Sequence, residues 1–243
     1  MNYKLKIQFE GTRYLGWQKQ KTNINTIQGK IETVLGKLFE ENIQVIGGSR
    51  TDSGVHAIEY VASFEARRDL EEKVILDYLT MYLPEDIVIM EVARVEEKFH
   101  ARYNAKTKTY LYKIDNSKCG NVFAKKYAWH VEKKLNIDKM EDAAKLLVGE
   151  HDFKGFTNKS KNKNTVKVIN SIEITNEGGF ICIAVEGNAF LLNMVRIIVG
   201  TLKEVGEGSR NLESIDEILR SGDRELSGER AVARGLYLLK TKY

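Results

Sequence analysis

The chain is nearly devoid of proline: Pro84 is the only one in 243 residues. No proline- or serine-rich stretch separates one half from the other, so any domain boundary must fall in an ordinary connection. Cysteine is as scarce. Cys119 and Cys182 lie far apart and match no zinc or redox spacing, which excludes a disulfide framework and points to a reducing compartment. A long hydrophobic run is missing too. The most apolar stretch, Ala189 to Leu202, is too short to span a bilayer and carries Arg196. Charge interrupts the apolar residues at once in the opening MNYKLKIQFE, so no signal peptide is read there and a soluble cytoplasmic protein is expected. Charge of one sign is not in excess: 38 basic against 34 acidic residues give +4 and a pI near 8.8, and composition alone does not identify a nucleic-acid binder. There is neither a P-loop nor a dinucleotide fingerprint. The four histidines, His56, His100, His130 and His151, are scattered, and the pair His151 and Asp152 lacks the further ligands of a metal site. No metal is therefore expected, and the histidines are read as structural or RNA-contacting.

What is present has the periodicity of a mixed fold. Leu5, Ile7 and Phe9 alternate in an opening strand. Thr26 is placed to cap a helix whose apolar face is Ile27, Ile31, Val34, Leu35 and Leu38. IQVIG and EYVASFEA read as strands around a glycine-containing loop, Gly47 to His56. Leu70, Val74, Tyr78 and Met81 mark a second helix that Pro84 stops before the strand IVIMEVARV. The second half has a like rhythm. TYLYKI is a strand, Met140, Ala143, Ala144 and Leu147 mark a helix, VINSIEIT and FICIAVEG are strands, and FLLNMVRIIVGTL is an apolar helix. A short helix near Ser214 to Arg220 and a terminal strand GLYLLKTKY complete the chain. The order fits an α+β fold of mainly antiparallel sheets in two similar subdomains, residues 1–104 and 105–243.

Several segments could carry chemistry. In GGSRTDSGVHA, residues 47–57, Gly47, Gly48 and Gly54 allow unusual backbone angles and close approach of a ligand, with Asp52 at the centre. A plain turn uses the same residue types. Arg196 stands inside an apolar helix, where a guanidinium requires a carboxylate partner; Asp52 is one candidate, while pairing with Glu186 or snorkelling to the surface are the others. Alternation in FHARYNAKTKTYLYK puts Lys106, Lys108, Tyr110 and Tyr112 on one strand face, where lysines suit phosphates and tyrosines suit stacked bases. RYLGWQKQK, residues 13–21, repeats the mixture, and Lys154 to Lys167 reads as a mobile basic loop that solvent or RNA could face.

Taken together, GTRYLGWQKQ, SRTDSGVHA, LPEDI, FHARYNAKTKTYLYKI, GEHDF, AFLLNMVRIIVGTLKEVGEG and GLYL resemble, in order and along nearly the whole chain, the tRNA pseudouridine synthase A family. The resemblance implies two α/β subdomains whose sheets meet at a basic RNA cleft, a homodimer, tRNA as substrate, and no cofactor. It makes Asp52 the essential carboxylate, with Tyr110 stacking on the target base, Arg196 pairing with Asp52, Arg50 filling the space a flipped base leaves, and Leu236 lining the apolar side of the pocket. His56, in the same loop, joins them as a substrate contact. The implied targets are uridines 38, 39 and 40 of the anticodon stem-loop. Four positions depart from the family pattern: Ser49 and Gly155 replace a usual glycine and serine, Thr80 an asparagine, and Val232 a proline.

The implied reaction breaks the C1′–N1 bond of uridine, turns the base and rejoins it through C5, so nothing is gained from outside. A carboxylate could attack C1′, add to C6, or take a proton to give a glycal. Two other readings account for parts of the pattern: an RNA-recognition module, which leaves SRTDSGVHA unexplained, and a metal-dependent RNA hydrolase using Asp52 and His56.

Overall fold

The structure, a computed structural model, describes residues 1–20, 25–158 and 164–243. The chain divides into two compact units, Met1–Lys106 with Tyr237–Tyr243, and Thr107–Leu236. The terminal strand thus belongs to the first unit, whereas periodicity assigns it by position to the second. Periodicity identifies a strand without naming its neighbour; here the neighbour is strand β3, joined in parallel through Tyr237 opposite His56 and Leu238 opposite Ala57.

In the first unit, strand β1 (Asn2–Phe9) lies between β3 (His56–Glu65) and β4 (Ile87–Val95), antiparallel to both. On the edge of β3 away from β1, strand β2 (Val45–Gly47) pairs antiparallel with Ala62–Phe64 and β10 (Leu236–Lys242) pairs in parallel with His56 and Ala57. The expected face of β1 is buried, and Tyr3 joins it. In β4, Ile87 and Ile89 are buried and then Val92, because the ladder skips Met90: Lys6 faces Glu91 and Ile7 faces Ile89. Helix α1 (Ile27–Phe39) begins where expected, the Thr26 hydroxyl accepting from Gly29 N–H at 3.1 Å. It buries Ile27, Ile31 and Leu35 completely, each worth about 1.5–3 kcal/mol. Helix α2 (Glu72–Tyr82) has a different face from the expected one. Ile75 and Leu79 point inward while Val74 and Met81 are exposed. Both faces recur at helical spacing, and only the position of the sheet selects between them.

The second unit repeats the plan. Strand β5 (Thr107–Asp115) pairs antiparallel with β9 (Phe180–Gly187), which pairs with β8 (Val166–Glu177), which pairs with β7 (Gly149–Asp152). The short β6 (Trp129–His130) runs parallel to the end of β5. Helix α3 (Ile137–Lys145) buries Met140, Ala143 and Ala144 against α4 (Met194–Gly206), where Gly206 leaves room for the Met140 side chain. Helix α5 (Glu213–Ser221) completes the unit. Helix α4 starts at Met194 rather than at Phe190, because Asn193 takes a left-handed backbone, φ 62°.

Part of the expected loop 154–167 is ordered. Phe153–Phe156 forms a 3-10 turn capped by Asp152 and buried at Phe153 and Phe156, and Val166 and Lys167 already belong to β8; residues 159–163 lie outside the described residues. Gly155 is here a packing requirement. A Cβ would stand 2.7 Å from Ile218 Cγ2 and 3.1 Å from the Ile218 carbonyl oxygen. Adding a hydroxymethyl group there, Gly155→Ser, is expected to cost about 1–3 kcal/mol, read as a lower urea midpoint. Equal stability would mean that Ile218 gives way freely. Val232, by contrast, has φ −63°, the angle proline would impose, and its carbonyl accepts from the Tyr112 hydroxyl at 2.8 Å.

Asp115, at the end of β5, ties down the following turn. Its carboxylate accepts from the Ser117 hydroxyl at 2.6 Å, Ser117 N–H at 3.1 Å and Asn121 N–H at 2.6 Å. Burial alone would raise its pKa, but these hydrogen bonds outweigh it and hold the carboxyl below its ordinary value. A depressed folded-state pKa stabilises the native chain above the ordinary value of 3.8 and loses that contribution as pH falls through the lower native one. Asp115→Asn is expected to lower the melting temperature at neutral pH and to flatten its decline below pH 4. A parallel acid decline in both proteins would contradict this assignment.

Candidate functional site

In the first unit the loop between β2 and β3 carries Arg50, Asp52 and His56. Arg50 is exposed and Asp52 half-buried. What fixes the loop is a second one, residues 11–18, folded beneath it. The Thr51 carbonyl accepts from Trp17 N–H at 3.2 Å, the Ser53 hydroxyl donates to the Tyr14 carbonyl at 3.0 Å, and Val55 N–H closes the turn on the Asp52 carbonyl at 3.2 Å. Gly16, with φ 87°, lies against the Thr51 carbonyl so closely that a Cβ would overlap it, and Gly11 lies as close to the Val55 carbonyl. Trp17 stacks on Tyr60 at 4.1 Å, and the Tyr60 hydroxyl donates to the Ser49 carbonyl, gripping the chain just ahead of Arg50. The Thr51 hydroxyl is buried without a hydrogen-bond partner among the described residues, one position from the carboxylate.

Two expectations change here. RYLGWQ is not chiefly an RNA-facing strip. Tyr14 and Trp17 are buried under the loop, and only Arg13, Leu15 and the residues from Gln18 to Gln20 face outward, while Lys21 lies outside the described residues. The Tyr14 hydroxyl donates to Asp86 at 2.5 Å; burial first, then that hydrogen bond, pushes it up to about 12. His56 is only 2% exposed, its ring stacked on Tyr237 at 4.8 Å and its Nδ1 accepting from Gly11 N–H at 3.0 Å. That bond makes the His56 ring a brace between the loop and Gly11. Sequence reasoning passed over this under-loop, although Gly11 and Gly16 interleaved with Tyr14 and Trp17 are the pattern of a tight turn with a buried aromatic floor.

The second unit holds Tyr110, Arg196 and Leu236. Tyr110 is buried on β5 with its ring edge-on to Phe190 at 5.2 Å. Tyr112, expected beside it on an RNA-facing surface, is fully buried, because the strand face that carries Lys106 and Lys108 outward turns into the core from residue 110 on. Burial drives the Tyr112 hydroxyl well above its ordinary range, partly offset by the Arg196 and Arg234 guanidiniums. Arg196 is 8% exposed near the start of α4, where Nε donates to the Ala231 carbonyl at 2.7 Å and Nη1 to the Asn193 side chain at 3.4 Å. Glu186 accepts from Thr109 at 3.2 Å and Asn170 at 3.4 Å. Arg196, Tyr112 and Leu236 are tied through one strap, residues 231–236. Arg196 bonds its first residue, Tyr112 bonds Val232 and packs on Gly235, and Leu236, buried, ends it.

The remaining histidines have structural partners: His130 bonds the Ser117 carbonyl at 2.9 Å, His151 that of Val148 at 3.1 Å, and His100 accepts from the amides of Arg102 and Tyr103. Among the described residues no group of three or more histidine, cysteine, aspartate or glutamate side chains is placed to hold a metal ion, and no helix is long and apolar enough to cross a membrane.

The family model described as tRNA pseudouridine synthase matches residues 6–104 and 143–243, which include the Asp52 loop, the 11–18 under-loop, α4 and the 231–236 strap. The chain belongs to the tRNA pseudouridine synthase family. Membership makes it an isomerase converting uridine in tRNA to pseudouridine. Relatives of this synthase include tRNA pseudouridine synthase A 2 of Bacillus cereus, 51% identical over all of this chain and 99% of its own length. tRNA pseudouridine synthase A of Bacillus sp. (strain KSM-64) is 52% identical over 98% of this chain and 97% of its own. tRNA pseudouridine synthase A 1 of Clostridium tetani is 51% identical over 100% and 99%. The synthase fold is accordingly α+β, with mostly antiparallel strands in both units.

Proposed function

We propose that this synthase acts on the anticodon stem-loop, at tRNA positions 38, 39 and 40, with Asp52 as its nucleophile or base. The observation that carries the reading is the fixed loop. Hydrogen bonds and glycine contacts hold the backbone on both sides of Asp52, so a half-buried carboxylate is presented from a fixed backbone. Uridine must leave its stack to meet such a group. Arg50, exposed next to Thr51, takes the space the base vacates; Tyr110 stacks on the everted base; Leu236 lines the apolar side of its pocket. Arg196 pairs with Asp52 and keeps it ionised once RNA excludes water, because a facing cation favours the carboxylate where desolvation alone would neutralise it.

The synthase works as a homodimer in the cytoplasm, where tRNA matures, and needs no cofactor, since the isomerisation neither gains nor loses atoms or electrons. Incubation of the purified protein with unmodified tRNAs, followed by carbodiimide-dependent primer extension, is expected to give stops at 38, 39 or 40 that persist in EDTA with the RNA chains intact. Stops elsewhere would move the target. Chain cleavage would favour the hydrolase reading instead, and RNA bound but unmodified would favour a binding module. Sedimentation of the free protein is expected to give twice the chain mass.

A further inference from the structure

Between the two matched stretches, residues 116–128 build a rigid knuckle whose tip is apolar. Asp115 anchors its base through Ser117 and Asn121, and the Asn116 side chain donates to the carbonyls of Val131 at 2.7 Å and Lys133 at 2.9 Å. His130 bonds the Ser117 carbonyl, and Gly120, at φ 72°, packs on the His130 ring. The tip turns tightly: Ala124 N–H donates to Asn121, and Tyr127 N–H to Ala124 at 2.7 Å, while the Asn121 side chain accepts from Phe123 N–H at 2.9 Å. So held, Val122 is 79% and Phe123 89% exposed. A phenylalanine kept in water by an ordered turn is unfavourable in the free protein, and calls for something to cover it.

The chemistry of that something is indicated by charge. Lys118, Lys125 and Lys126 flank the tip and Lys133 and Lys134 follow, against Glu132 as the one acid from residue 116 to 134. Lys118 and Lys125 are exposed. An apolar partner would gain nothing from this ring of cations, whereas a polyanion with exposed aromatic faces matches both elements. Along β5 the knuckle begins six residues beyond Tyr110, about 20 Å at the rise of an extended strand, too far to share the target base.

We propose that this knuckle is a second RNA-binding element, in which Phe123 stacks on an unpaired base of the tRNA several nucleotides from the target and Lys118 and Lys125 take the adjoining phosphates. It rests on the reading of tRNA as substrate. The knuckle lies outside both stretches that the family model matches, so the contact is an addition to the machinery those stretches describe.

The test uses full-length unmodified tRNA and three variants: Phe123→Ala, Phe123→Trp, and Lys118→Ala with Lys125→Ala. Because these side chains are exposed, melting temperatures should match the parent. Phe123→Ala is expected to weaken tRNA binding about five- to fifty-fold and Phe123→Trp to restore it. The double lysine variant should lower the salt slope by about two. Single-turnover isomerisation at saturating enzyme should stay at the parental rate in all three. Parental affinity in Phe123→Ala would overturn the proposal, as would a changed sedimentation coefficient with unchanged RNA affinity, which would mark a protein contact. If the parent itself fails to isomerise tRNA while Phe123→Ala still weakens binding, the proposed function falls and the knuckle assignment stands.

Discussion

Replacing Asp52 with asparagine is expected to stop turnover, by about 10³-fold or more, while tRNA affinity changes less than about threefold. The asymmetry follows from how the loop is held. Backbone bonds position it, from Trp17 N–H to the Thr51 carbonyl and from Val55 N–H to the Asp52 carbonyl. Asparagine keeps the volume and leaves those bonds in place, but it supplies neither a nucleophile nor a base. Binding, governed by phosphate neutralisation across the surface, has little reason to change. Single-turnover assays and filter binding with the same preparation measure both quantities. Residual turnover within about tenfold of the parent would remove Asp52 from its role, and a large loss of affinity would show that the loop had lost its shape.

Arg196→Ala is expected to lower stability by about 2–4 kcal/mol and to depress turnover further than unfolding explains. The stability loss has a structural cause already visible: the guanidinium is buried, and its Nε donates to the Ala231 carbonyl at the head of the strap that ends at Leu236. Truncation leaves that carbonyl short of a donor and opens a cavity beside α4. The turnover loss tests the proposed pairing with Asp52. Arg196→Lys, which retains charge but not the planar fork, should restore little of either. A variant that is destabilised yet turns over at the parental rate, assayed well below its midpoint, would confine Arg196 to bracing the strap. One that is both stable and active would leave it without a role.

The candidate site residues stand out in the sequence because a few residue types have few uses. An arginine within an apolar helix contradicts its surroundings, and that contradiction survives in a one-dimensional pattern, whereas an aspartate among glycines, serine and threonine looks like a plain turn until the motifs on either side are read with it. Elements long enough to show a period were legible for a similar reason, as in β1 and α1, where apolar spacing and the Thr26 cap agree. Two short strands were not: β6 and β7 are two and four residues long and show too little pattern to register.

Sequence by itself determined the strand and helix order, the α+β class, and the family through motifs in a fixed order. These depend on local spacing and residue chemistry, which the chain carries wherever it folds. Tertiary structure alone decided which face of α2 is inside, that Tyr112 and His56 are buried, that Tyr14 and Trp17 form the floor of the Asp52 loop, and that the last strand returns to the first unit. Each of these depends on which distant segment supplies the covering surface. Burial and hydrogen bonding are settled between residues far apart in sequence, as between Gly11 and His56 or Arg196 and Ala231, and no periodicity along the chain records the partner.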